Sequence, residues 1–215
     1  MIALNKTIQP FETYTAEYDE WYKKYPYVFK SEVEAIRNML PAGESHGIEV
    51  GLGTGRFSVA LGIKEGVEPS FAMRKMAIAR GVEVMDSIAE RLPYKSLHFD
   101  FVLMSSCVSY FFNVHAAFCE AHRVLKRKGS LVIGFVDKNS IIGNFYEAKK
   151  ANSIFYKHAT FYSVPQIVAE LREAGFKELE FSQTLFHNLD EIKEFEPAIE
   201  GYGNGSFVVI KAIKK

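Results

Sequence analysis

Cysteine is scarce in this chain. Only Cys107 and Cys119 occur among 215 residues, and neither belongs to a C-x-x-C pair, which argues against a disulfide framework and zinc-knuckle spacing. Both are expected to be reduced thiols. Net charge is lacking too: 26 Lys and Arg balance 26 Asp and Glu, so no global positive field exists to hold a nucleic-acid backbone or an anionic membrane. No uninterrupted apolar run approaches the roughly 20 residues that span a bilayer, and the N-terminus lacks the layout of a signal peptide. These absences predict a cytoplasmic protein with neither a membrane nor a nucleic-acid partner. Internal repeats and low-complexity tracts are missing as well.

What is present is a high apolar content, 48% of residues, in a chain long enough to bury one sizeable core. A single domain over 1–215 is expected. The run Gly47 to Val50 reads as a short strand that stops at Gly51, followed by a helix over Arg56 to Leu61. Gly66 to Glu68 reads as a second strand, after which Ser70 caps a helix through Ala79 that Gly81 closes. Strands follow at Val82 to Met85, Phe99 to Ser105 and Ser130 to Val136, the last entered by a turn at Lys128-Gly129. A helix over about Val114 to Leu125 separates the latter two. Ser163 to Ala174 reads as a capped helix ended by Gly175, with strands at Lys177 to Thr184 and Phe207 to Ile213 after it. This alternation implies an α/β fold with a mainly parallel sheet and helices on both faces.

Two aromatic-rich stretches interrupt the alternation. Phe11 to Phe29 carries Tyr14, Tyr18, Trp21, Tyr22, Tyr25 and Tyr27, and Lys138 to Tyr162 carries Phe145, Tyr146, Phe155, Tyr156, Phe161 and Tyr162. They are expected to form an N-terminal helical lid over about 11–40 and a lid insertion over about 138–162, covering the open end of the sheet.

In an open parallel sheet, ligands sit beyond the carboxyl ends of the strands where the winding reverses, and the first strand-to-helix turn lies there. Here that turn is Gly51-Leu52-Gly53-Thr54-Gly55. Glycines allow positive φ and close approach, and the following helix offers free N–H groups. The spacing is not G-x-G-x-x-G, because position 56 is Arg, and no G-x-x-x-x-G-K-[ST] occurs. A dinucleotide dehydrogenase or a nucleoside triphosphatase is therefore disfavoured.

The run Glu49-Val50-Gly51-Leu52-Gly53-Thr54-Gly55 resembles the first motif of the class I S-adenosylmethionine-dependent methyltransferases, in particular the methyltransferase-domain group acting mostly on small molecules. Gly66-Val67-Glu68-Pro69-Ser70, Ala89-Glu90-Arg91-Leu92-Pro93-Tyr94, Phe99-Asp100, Glu120 to Lys126 and Ala174-Gly175-Phe176 continue the likeness in the family's order. The resemblance implies a three-layer Rossmann-like fold with a seven-stranded sheet in the order 3-2-1-4-5-7-6, strand 7 antiparallel and formed by Phe207 to Ile213. It also implies S-adenosyl-L-methionine as cofactor and places Glu49 near the methionyl amino group.

Glu68, one βαβ step after the glycines, is positioned to accept both ribose hydroxyls, with Pro69 and Ser70 beside it. Family members commonly carry a short polar residue four positions before Leu-Pro, whereas here Ile88 stands there. The backbone of Ile88 and Ala89 can still read the adenine edge, or Asp86 or Ser87 can substitute if the loop shifts. Ser105 and Ser106 are expected under the methionyl and methyl end. Cys107 follows Ser rather than Pro and reads as pocket wall, not as a nucleophile. His115, Cys119 and His122 share one helix face, but the same helix has an apolar side and no fourth ligand is indicated, so no metal is expected.

The leading expectation is an enzyme that holds a nucleophilic atom in line with a sulfonium methyl, catalysis coming mostly from orientation. Tyr18, Tyr22, Tyr110, Tyr146 and Tyr156 are the candidates for gripping a small-molecule methyl acceptor, with an amine nitrogen the attractive case. Two alternatives stand beside it: a non-catalytic protein that binds S-adenosylmethionine or S-adenosylhomocysteine, and a methyltransferase acting on a protein or RNA.

Overall fold

The computed structural model describes residues 2–215, with side chains from position 6 onward. Helices α1 (Ile2–Thr13), α2 (Thr15–Lys24) and α3 (Pro26–Arg37) precede β1 (Gly47–Val50), α4 (Arg56–Leu61), β2 (Glu65–Val67), α5 (Phe71–Ala79), β3 (Glu83–Met85) and β4 (Phe99–Ser105). Then come α6 (Val114–Val124), β5 (Leu125–Val136), α7 (Ile141–Lys149), α8 (Val164–Glu173), β6 (Leu179–Thr184), β7 (Ile199–Glu200) and β8 (Phe207–Ile213). The strands form one sheet in the order β3-β2-β1-β4-β5-β8-β6-β7. β1 pairs in parallel with both β2 and β4, so the winding reverses between β1 and β4 and opens a crevice at their carboxyl ends.

The expected order is present, with β8 antiparallel between β5 and β6. Two details differ. The sheet has eight strands rather than seven, because Ile199 and Glu200 pair with Gln183 and Ser182 at the edge; two residues are too few to show a period of alternation. The turn expected at Lys128-Gly129 is instead a bulge within β5. Phe99 pairs with Leu125 but Phe101 with Ser130, and Lys128 takes φ +63°, which bends the strand without ending it.

Successive side chains along the central strands enter opposite faces. Val102, Met104, Leu131, Ile133, Val208 and Ile210 pack with Phe118 of α6 and Leu171 of α8. Phe101, Leu103, Val132, Phe207 and Val209 pack with Ile36 of α3 and Phe57 of α4. Both faces are covered, which explains why β1 is a short, wholly buried run.

Local signals start and stop the helices. The Ser70 side chain accepts from Met73 N to cap α5, Asn113 accepts from Ala116 N to cap α6, and Ser163 and Gln166 form a capping box on α8. The aromatic N-terminal stretch is three helices, the third beginning with Pro26 in its first turn. No helix among the described residues is long and apolar enough to cross a membrane.

Candidate active site

The glycine turn leaves β1 with φ of +69° at Gly51, +56° at Gly53 and +80° at Gly55, values open to glycine at no steric cost. A Cβ on Gly51 would stand 2.9 Å from the Cys107 Cβ, so the turn can come this close to the end of β4 only without a side chain. Gly51 and Gly53 line a cavity of ≈ 710 Å³ at the crevice. Glu68, just beyond β2, lines it too, and its carboxylate accepts the N–H groups of Gly53 and Ser70, each at 2.9 Å. Burial pushes the Glu68 carboxyl up to about 7 against the lowering effect of those two bonds.

The opposite wall is the backbone stretch Ser87-Ile88-Ala89-Glu90 after β3, and the floor is Ser105-Ser106-Cys107. Ser106 sits at φ +51°, a left-handed conformation costly for a residue with a side chain. Cys107 is buried, its thiol donates to Val50 O at 3.2 Å, and burial raises its pKa well above the ordinary thiol value. It is a wall residue, poorly suited to nucleophilic attack.

Several residues singled out in the sequence lie behind this wall rather than in it. Glu49 is fully buried and accepts hydrogen bonds from the hydroxyls of Ser105 and, at 2.5 Å, Ser58. Desolvation pushes its carboxyl up to about 7, with the Glu68 charge adding to the rise and the serine bonds opposing it. Thr54 turns its hydroxyl to Asp19 at 2.7 Å. Leu52 is buried in a small apolar cluster with Ala77 and Val82, and a Cβ on Gly55 would meet Ala77 at 3.0 Å. Ser70 caps α5 and donates to Glu12 of α1 at 2.7 Å, while Pro69 stays in the lining. Asp86 is a correction: it does not line the cavity. The Arg74 guanidinium holds its carboxylate through two bonds of 2.9 and 3.0 Å, so the loop has not shifted to bring it inward.

His115, Cys119 and His122 do not converge. Cys119 Sγ is 3.5 Å from His115 Nε2, but His115 Nδ1 faces Glu170 at 3.4 Å and His122 packs edge-on against Phe176.

A second cavity of ≈ 890 Å³ adjoins the first, and Tyr18, Ser106 and Tyr110 line both. They form a neck. Beyond it all five tyrosines anticipated from the sequence meet: Tyr18 and Tyr110 at the neck, and Tyr22, Tyr146 and Tyr156 further in. The Tyr18 and Tyr22 hydroxyls are 2.9 Å apart, and the Tyr146 and Tyr156 rings lie 4.6 Å between centroids. Phe11 of α1 packs edge-on against Tyr18 and Tyr110 and touches Phe155 at 5.5 Å, so the two aromatic stretches meet above the neck.

Sequence reasoning missed Asp19 and Glu32. Asp19 binds Thr54, Arg56 and Arg80, and nothing local to α2 announces partners so far along the chain. Glu32 lines the second cavity, and its signal was available: it stands at i+4 from Val28 and i−4 from Ile36, on the buried face of α3.

The cradle fits a nucleoside-bearing ligand. Two side-chain-free positions approach the cavity, an acidic residue stands beside them at the end of β2, and a backbone edge faces them from beyond β3. Comparison with known proteins agrees. A family model described as a methyltransferase domain matches residues 48–133. A protein of Methanocaldococcus jannaschii is 42% identical over 204 residues, 95% of this chain and 98% of that one. One from Mycobacterium tuberculosis is 32% identical over 205 residues, 92% of this chain and 71% of its own length. A crystal structure from Thermotoga maritima, described as a SAM-dependent methyltransferase and possible histamine N-methyltransferase, superposes with a TM-score of 0.93 at 43% identity, covering 96% of this chain and 99% of that one. The glycine turn, the switch-point crevice and a full-length likeness at that identity have one common meaning: the chain belongs to the S-adenosylmethionine-dependent methyltransferases.

Proposed function

We propose that this methyltransferase acts on a small molecule held in the aromatic cavity, and that the atom methylated is an amine nitrogen. The observation that carries this reading is the neck: Tyr18, Ser106 and Tyr110 line both cavities, so a ligand in one can touch a ligand in the other. In this reading Gly51, Gly53, Glu68 and Ser87 to Ala89 hold S-adenosyl-L-methionine, with Glu68 at the ribose hydroxyls and the backbone of Ile88 and Ala89 at the adenine edge. Ser105 and Ser106 underlie the methionyl end, and Glu49 supports Ser105 from below. The bound cofactor supplies an electrophilic methyl group on sulfur.

The chain's own contribution is orientation and exclusion of water. Holding two reactants in line is worth up to about 7 to 11 kcal/mol, so no dedicated base is required. Burial beside the cofactor's positive sulfonium disfavours a protonated amine at the neck, which frees the lone pair that attacks. Helices α1 to α3 and the stretch 138–162 serve as lids, joined by Phe11 and Phe155. The second cavity is walled largely by aromatic side chains and lies behind the neck, a setting that suits a small ligand better than a protein or RNA acceptor. The description of the Thermotoga maritima protein as a possible histamine N-methyltransferase supports an amine.

The test is a methyl-acceptor screen of small amines, phenols and thiols with product detection, repeated with each of the five tyrosines replaced by Phe and Ala. An amine should be methylated. Tyr110→Ala and Tyr156→Ala should slow transfer about 10-fold or more, the loss of about 1.4 kcal/mol of positioning. Full transfer by every variant would move the acceptor site elsewhere.

A further inference from the structure

Glu32 has no part in the reaction just described. It belongs to the buried face of α3, is only 5% exposed, and lines the second cavity but not the first. No hydrogen bond or ion pair joins its carboxyl to another described residue. Of the titratable groups around it, Glu17, Tyr18 and Tyr22 line the cavity from α2, Tyr110 from the neck, Tyr146 from α7 and Tyr156 from the segment after it, and no Lys, Arg or His lines the space. The cations nearest the wall are Arg56, 5.4 Å from the Tyr22 centroid and paired with Asp19, and Lys150, 5.9 Å from the Phe161 centroid. An unpaired carboxyl in such a place is costly to ionise, and burial pushes it up to about 8. The rings of Trp21, Tyr146 and Tyr156 in the same wall are electron-rich, which favours a cation beside them.

A partnerless carboxyl inside an aromatic wall, with no Lys, Arg or His lining the space, can gain an ion-pair partner only from a ligand. We propose that Glu32 binds a protonated nitrogen of the methyl acceptor at the end remote from the neck, so that the acceptor is a small dibasic molecule. This rests on the reading that the second cavity holds a small amine. One nitrogen stands unprotonated at the neck, and the other is held as a cation by a charge-assisted hydrogen bond to Glu32. Because the free carboxyl is largely protonated at neutral pH, taking up a cationic group there expels its proton to solvent.

Calorimetry on the protein saturated with S-adenosylhomocysteine tests this with two matched pairs of probes: butanediamine against pentylamine, and para-xylylenediamine against para-methylbenzylamine. At least one diamine should bind about 10-fold or more tightly than its monoamine mate, the effect of one hydrogen bond to a charged group. Repeating the titration in two buffers of different ionisation enthalpy should show about two protons released per diamine bound, one from the nitrogen that stands neutral at the neck and one from Glu32, against about one per monoamine. Glu32→Gln should erase the preference and the proton that comes from the carboxyl while leaving S-adenosylhomocysteine affinity unchanged, whereas Glu17→Gln should keep both. Should Glu32→Gln not fold, Glu32→Met, of similar volume and without a polar head, carries the same comparison. If the monoamines bind and the diamines bind no better, or if the preference survives in the Glu32 variants, the assignment of Glu32 falls while the small-amine reading stands. If no probe binds at all, both fall.

Discussion

Asp19 on α2 and Arg56 at the first position of α4 form a two-point ion pair, with Nε donating to Oδ1 at 2.8 Å and Nη2 to Oδ2 at 2.5 Å. Arg80 adds a bond to the same carboxylate at 2.8 Å and another to Thr54 O at 2.5 Å. Burial alone would raise the Asp19 pKa, but the bonds from Arg56, Thr54 and Arg80 outweigh it and hold the carboxyl well below the usual range. The N-terminal helices are thereby latched to the glycine turn they cover.

Asp19→Asn should therefore loosen α2 over the turn. Breaking a buried pair costs about 3 to 5 kcal/mol, and the partly exposed arginines, 22% and 26%, reduce the expectation to about 2 kcal/mol. Denaturant unfolding reads the stability, and amide exchange in α2 should accelerate, with weaker S-adenosylhomocysteine binding. Unchanged exchange and affinity in a folded variant would mean that the latch holds nothing. Since the folded pKa is depressed, this contribution is full above the unfolded value of about 3.9 and fades as pH falls below it.

Glu68→Gln should weaken S-adenosylmethionine binding by about 1.5 to 3 kcal/mol, the range for a hydrogen bond to a charged group. The amide cannot accept at both ends, so one of the N–H groups of Gly53 and Ser70, now satisfied at 2.9 Å, loses its partner or the ribose does. Calorimetry decides it, and a folded variant with native affinity would remove Glu68 from the ribose.

Three buried carboxyls set the pH response of the ligand-free protein. Glu32 is pushed up to about 8, and Glu49 and Glu68 to about 7, with desolvation the leading cause in each. A raised folded pKa means that the native state binds more protons than the unfolded one. Its stabilising effect is complete below the unfolded value of about 4.3 and is lost as pH rises through the folded values. The melting temperature should accordingly fall between about pH 5 and about pH 8, less steeply in Glu32→Gln, and less in the presence of S-adenosylmethionine, whose positive charges favour ionised Glu49 and Glu68. A flat profile without ligand would contradict these environments.

Local patterns carry far in this sequence. The bounds of β4 and β8, the caps at Ser70 and Ser163 and the glycine turn are legible because backbone conformation and burial period are written in a few neighbouring residues. The ordering of the sheet followed from motif resemblance, and the convergence of five tyrosines followed from where their segments had to lie relative to the open end. The two-residue β7 and the bulge at Lys128 were not legible, since neither has a period to detect.

What the sequence determined by itself is thus the alternation of strands and helices and the glycine turn, both encoded at short range, with sheet order and ligand class following from the motif resemblance. What only the tertiary structure decided is which side chains share a space. Asp86 was turned to Arg74, Glu49 was buried beneath Ser105, Asp19 was brought to Arg56 and Arg80 across 37 and 61 positions, and Glu32 was left facing aromatic rings without a cation. Such pairings depend on how helices far apart in the chain dock on the sheet, and hydrogen bonds and charges act over only a few ångströms, so no spacing along the chain reveals them.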